Sequence, residues 1–300
     1  MFMWGLLREG VIASLAAALV LPLVGALLFV RRSALLGIAV PQFSSAGLAL
    51  GLFLIPWFPQ VQQEFLEHGH PPMLYSFAFA AGAAALALSA FSFLSSRFRK
   101  YNEAITAVGF SLSLSATVLL LTAAPSGAQL ADTLLRGEII LLDVHGMIAL
   151  LVISGLSLVC LFFMWRWLLL VAFDPECAVA LGHSVLSAER WQVLLVGASV
   201  GVGVVTIGPM LVFALLFLPP LFGVRGKPGL IPYLTRVVSL SLLSIMASWP
   251  ISIILDMPFG VSASLTCFAF GSAWVLIKNN LYFISSLCIF FGAEIRFPGF

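Results

Sequence analysis

The chain has 300 residues, 62% of them hydrophobic and only 9% charged, with a mean hydropathy of +1.15 and a net charge of +2. Soluble domains carry roughly 25% charged residues, so the composition excludes an ordinary soluble fold and describes an all-α, polytopic membrane protein. No basic stripe stands outside the short loops, which excludes a nucleic-acid partner, and the four cysteines stand singly, three of them in apolar runs, as small buried hydrophobes do.

In chain order, charge-free stretches predict nine spans at about 11–30, 35–57, 73–95, 104–123, 147–168, 191–205, 209–222, 237–255 and 259–277, in one domain covering 1–300. The first run is of span length and Arg31-Arg32 follow it, which favours a retained span over a signal peptide. The apolar stretch 281–292, within a tail from 279 to 300, is too short for a tenth span.

With nine spans and the N-terminus outside, eleven of the fourteen basic residues fall inside: Arg31, Arg32, Arg97, Arg99, Lys100, Arg166, Arg190, Arg225, Lys227, Arg236 and Lys278. That asymmetry fixes the orientation by the positive-inside rule. The outer side then carries two groups with metal-ligating side chains, Glu67-His68-Gly69-His70 and Glu138, Asp143 and His145. Imidazole and carboxylate are zinc ligands, but the same residues also serve to solvate an outer loop.

Between the fifth and sixth spans lies FDPECAVALGHS, residues 173–184, with the makings of one short helix. Asp174 suits its N-cap, Pro175 its first position, Glu176 its first turn and Gly182 a left-handed terminus. Such a helix is about 10 Å long and cannot cross a bilayer. The following run, residues 192–222, exceeds one span yet falls short of two with a loop. Gly201, Gly203, Gly208 and Pro209 mark its middle, and residues 206–209 read as a turn. Irregular backbone at membrane depth survives where it is buried or lines a cavity, and interrupted helices point to a transport path.

The spans hold almost no ionisable groups; Asp256, between the last two, comes closest to a proton relay. GVRGKPG at 223–229 lacks the glycine spacing and the Ser or Thr of a phosphate-binding loop, so the chain is expected to be no enzyme and to bind no ATP itself.

Four segments resemble the membrane permeases of zinc/manganese/iron-type ABC importers: RRSALLGIAVPQFSSAGLALG at 31–51, LADTLLRGEIILLDVHGMIAL at 130–150, residues 168–220, and ILDMPFGVSASL at 254–265. The resemblance implies that the segment at about 173–183 is a cytoplasmic coupling helix, with Asp174, Pro175, Glu176, Cys177, Ala178, Ala180, Gly182 and His183 at the interface to a separate ABC ATPase. It implies a homodimer, an extracytoplasmic metal-binding protein, ATP and magnesium held by the ATPase, and residence in the cell (inner) membrane. It places Gln42, Ser44, Ser45, Gly208, Pro209 and Asp256 along a translocation path. Family members commonly carry Asp and His where this chain has Ile38 and Gln42, and neutral oxygens bind a transition metal weakly by comparison. Three transport functions stay open: metal import, import of a metal chelate or another small solute by the same machine, and a self-contained secondary transporter; the broken glycine-proline stretch counts against a non-transporting scaffold.

Overall fold

With no water to bond to in the bilayer core, each span must satisfy its backbone internally, and a helix does so within one segment. The computed structural model describes residues 2–30, 36–68, 71–98, 101–124, 144–224 and 229–290, and among these there are helices and no strands. The helices are α1 (Phe2–Val30), α2 (Leu36–Leu54), α3 (Pro59–His68), α4 (Met73–Arg97), α5 (Asn102–Ala123), α6 (Val144–Phe173), α7 (Pro175–Ala180), α8 (Val185–Ile207), α9 (Pro209–Gly223), α10 (Leu230–Leu255) and α11 (Phe259–Phe290).

Eight of these are long and apolar enough to cross a membrane, and they account for eight of the nine predicted spans. The ninth, α9, has 15 residues, about 22 Å against a hydrocarbon core of about 30 Å. The sequence places α8 too short: it begins at Val185 because Ser184 caps it, accepting from the Ser187 N–H at 3.3 Å. Glu189 and Arg190, which ended the charge-free run, lie in its first two turns. Helix α3 is polar and was read as loop. Its Val61 and Phe65, four residues apart, pack against a cluster containing Leu52 and Leu121. The residues set apart as a tail from 279 begin as a continuation of α11, which runs to Phe290.

Inter-helix contacts give each helix a direction. Tyr75 Oη donates to the Gly51 carbonyl at 2.8 Å while Gly47 meets Ala83, so α2 and α4 are antiparallel. Gly201 abuts Ala81 and Ser92 Oγ lies 3.4 Å from Glu189, so α4 and α8 are antiparallel too. Ser241 donates to the Ala18 carbonyl at 2.8 Å and Trp249 Nε1 to Ser14 Oγ at 3.1 Å, setting α10 against α1. The bundle therefore has two faces. Arg97, the start of α5, α7, Arg190, the end of α9 and the start of α10 share one; α3, His145 and Asp256 share the other.

The core is built for close approach rather than for large side chains. A Cβ on Gly201 would stand 2.6 Å from that of Ala81, and one on Gly25 would meet the Leu216 carbonyl. Lipid is as apolar as the helices, so association rests on such contacts and on hydrogen bonds. Ser241, Ser244, Ser248 and Ser252 accordingly line the buried side of α10. Ser248 and Thr266 share a hydrogen bond of 2.6 Å across to α11, as Ser157 and Ser199 share one of 2.9 Å between α6 and α8.

Candidate functional site: a capped surface helix and an intramembrane cavity

The polar edge of the site is α7. Asp174 Oδ1 accepts from the Cys177 N–H at 2.9 Å, and Pro175 occupies the first helical position. At the other end Gly182 turns left-handed at φ 81°, so that the Gly182 N–H reaches the Val179 carbonyl and the His183 N–H the Ala178 carbonyl, both at 2.9 Å. These two bonds close a Schellman motif and satisfy carbonyls that a six-residue helix would leave open. A peptide this short is unstable in water by itself; its caps hold it.

Pro175, Glu176, Cys177, Ala180, Gly182 and His183 are exposed, as expected of a docking segment. Ala178 differs from them: it is fully buried against the body of the bundle. A helix lying on a bundle must seat one face, and the small methyl of Ala178 lets it seat closely. Val179 and, at the helix's C-cap, Leu181 are 62% and 63% exposed and add apolar surface to this segment that its polar caps do not announce. Phe173 and Leu186 stand exposed beside them.

The second part lies within the bundle. Helices α8 and α9 are joined by Gly208 alone, at φ 83° and ψ 155°, a region open essentially only to glycine. A Cβ on Gly203 would come within 2.8 Å of the Val212 side chain. In a continuous helix those residues would lie about 13 Å apart along the axis, so the chain reverses here. The expected turn at 206–209 is this single residue, buried together with Ile207 and Pro209.

Beside the reversal is a cavity of about 260 Å³ lined by Ile38, Pro41, Gln42, Phe110, Pro209, Met210 and Phe213. Gln42 is six residues into α2 and Phe110 eight into α5, about 9 and 12 Å from the helix ends; the cavity sits at membrane depth. No lining side chain is ionisable. Gln42 supplies an amide, and its Nε2 donates to Thr117 Oγ1 at 3.3 Å, which in turn donates to the Ser113 carbonyl at 2.8 Å. The amide is thus held by α5 at the cavity wall.

Residues 3–288 match the ABC 3 transport family over nearly the whole chain. The chain belongs to that family. The resemblance carried by the four sequence segments is borne out. The chain is similar to a probable metal transport system membrane protein of Treponema pallidum (strain Nichols), 25% identical over 243 residues, covering 81% of this chain and 84% of that one. Its fold is similar to that of PsaBC from Streptococcus pneumoniae in complex with Fab, with a TM-score of 0.73, 18% identity and 90% of each chain covered. It is also similar to an inward-facing putative metal-chelate type ABC transporter, with a TM-score of 0.65, 19% identity, and 90% and 85% covered.

Within this ABC 3 permease the expected path residues separate. Gln42 and Pro209 share the cavity, and Gly208 makes the reversal beside it. Ser44 and Ser45 are buried on α2 and do not line it; Ser44 Oγ has no hydrogen-bond partner among the described residues. Asp256 is exposed at the α10–α11 turn, at φ 50°, capping α10. It is not part of the cavity, because α10 ends at the opposite face from where α2 begins. The lining residues Pro41, Phe110, Met210 and Phe213 carry no sequence signal that separates them from any other apolar span residue.

Among the described residues no three His, Cys, Asp or Glu side chains converge as a metal site. Glu67 is exposed on α3 and accepts from Gln63 Nε2 at 3.1 Å, a bond within its own helix. His68 ends α3 and His145 is exposed in the first turn of α6. His70, Glu138 and Asp143 lie outside the described residues.

Proposed function

We propose that this permease imports divalent metal ions, with zinc, manganese or iron as cargo, and takes its driving force from a separate ABC ATPase seated on α7. In this reading two copies pair around the path, an extracytoplasmic metal-binding protein delivers the cargo, and ATP and magnesium are held by the ATPase. The face bearing α7 is then cytoplasmic, which sets the N-terminus outside in the cell membrane, the inner one if the host is Gram-negative. The excess of Arg97, Arg166, Arg190 and Arg236 toward that face supports the orientation.

The observation that carries the reading is the double-capped helix with exposed apolar side chains, Val179 within it and Leu181 at its C-cap. A rigid projection transmits displacement, and an apolar knob outside the membrane calls for a protein groove. A second observation bears on the engine: among the described residues no Asp, Glu, His, Lys or Arg is buried. A proton- or ion-driven carrier places such groups within its spans, so the self-contained secondary transporter is the weaker reading.

The cavity favours one alternative within the same machine. Its neutral amide and aromatic walls suit a cargo whose charge is already satisfied by a chelator, since bare divalent ions favour carboxylate, imidazole or thiolate. Growth of a deletion strain, complemented with this chain, under separate zinc, manganese and iron limitation distinguishes the two. Rescue by one free metal salt supports ion import. Rescue only when a chelator accompanies the metal supports chelate import.

A further inference from the structure

A second concavity, of about 320 Å³, lies on the bundle flank between the end of α9, the first half of α10 and α11. Its composition is graded. At the end nearer the α7 face stand Arg236, Ser239 and Trp274 beside the apolar Phe222 and Ile277, with the guanidinium 5.9 Å from the indole ring centre. Toward the bundle's middle the walls are Leu243 and Phe270, both exposed. Nothing in the cavity beside Gln42 is shared with it.

Depth gives this grading its meaning. Helix α10 has 26 residues, about 39 Å of helix against a hydrocarbon core of about 30 Å. Arg236, six residues from its start, therefore lies near the boundary between headgroups and acyl chains, within the reach of an arginine that extends toward the interface. A tryptophan at the same depth is the usual companion of that boundary. Leu243 is seven residues further along, about 10 Å deeper. One positive group at the interface, continued inward by an apolar trough, has the charge and polarity order of a single phospholipid lying along a helix. Basic pockets between helices on the cytoplasmic side hold anionic headgroups in this way.

We propose that the α9–α10–α11 groove binds an anionic phospholipid of the leaflet on the α7 side, its phosphate on the Arg236 guanidinium and an acyl chain over Leu243 and Phe270; the Ser239 hydroxyl already donates to the Arg236 carbonyl at 3.1 Å. Arginine matches phosphate because its planar fork donates two parallel hydrogen bonds. The same lipid bridges α9 to α10 and α11, so it braces the short helix that follows the Gly208 reversal.

Native mass spectrometry of the full chain released from detergent tests the proposal, using phosphatidylglycerol and phosphatidylcholine of identical acyl chains as probes. Wild type should retain phosphatidylglycerol at least fivefold over phosphatidylcholine, and Arg236→Gln should bring the ratio to near one. Ala273→Phe, which fills the trough and leaves the charge, should lower retention of both lipids; it keeps the test open if Arg236→Gln fails to fold. Equal retention of the two lipids by wild type, or an undiminished preference in a folded Arg236→Gln, overturns the proposal. So does displacement of the lipid by a second copy of the chain, seen as a dimer that Ala273→Phe disrupts. The measurement is independent of cargo and ATPase.

Discussion

Truncating the exposed apolar side chains of α7 and its C-cap should weaken the hold on the ATPase without disturbing the membrane bundle. Val179 and Leu181 are 62% and 63% exposed in the free chain. Fully burying such a side chain stabilises by about 1.5–3 kcal/mol, so covering the exposed fraction is worth about 1–2 kcal/mol each. The double variant Val179→Ala/Leu181→Ala then loses about 2–4 kcal/mol, a roughly 30-fold to several-hundred-fold rise in Kd. Ordering costs at interfaces favour the lower part of that range. The assay is titration of the detergent-solubilised permease against its ATPase subunit by biolayer interferometry. Leu74→Ala serves as the matched control, since Leu74 is 78% exposed near the opposite face. A change of less than threefold in the double variant, equal to the control, would refute the docking role of this helix.

Gly208→Ala forces a Cβ into a backbone region that only glycine tolerates, and should cost about 1–3 kcal/mol; thermal melting in detergent would show it as a lower midpoint, whereas Met210→Ala on the adjacent turn should melt near wild type. Ala178→Trp should lower yield and melting temperature along with ATPase binding, because the residue is buried rather than displayed; loss of binding with an unchanged melt would place it back on the docking face. Gln42→Leu removes the amide at the cavity wall and its bond to Thr117, with about 1 kcal/mol at stake in stability. Its larger effect should fall on uptake rate, measured with radiolabelled metal in cells, and uptake equal to wild type would remove Gln42 from the path.

Sequence carried the bundle well because the physics of spans is one-dimensional. Charge-free length and basic asymmetry need no tertiary knowledge, and all nine stretches reappear as helices. The caps of α7 were legible for the same reason: Asp174, Pro175 and Gly182 act within a few residues of themselves. Which face a short helix seats is a tertiary matter, and the burial of Ala178 has no signal in the sequence. The cavity was half legible. Gly208 and Pro209 announce a break, but Phe110 and Phe213 come to line one cavity from separate helices by packing alone. Asp256 drew attention as an acid between two spans, yet its left-handed φ of 50° marks it as the C-cap of α10. Helix α3 was hidden because its polar composition outweighs the two apolar residues that dock it.

An engine outside this chain leaves the purified permease unable to pump, and reconstitution reads that out. Permease alone in sealed proteoliposomes, loaded with a metal-sensitive dye and given a proton or sodium gradient, should show no accumulation above the external metal concentration. Adding the ATPase, ATP and the metal-binding protein should produce it. Uphill accumulation by the permease alone, with no nucleotide present, would put the engine within this chain.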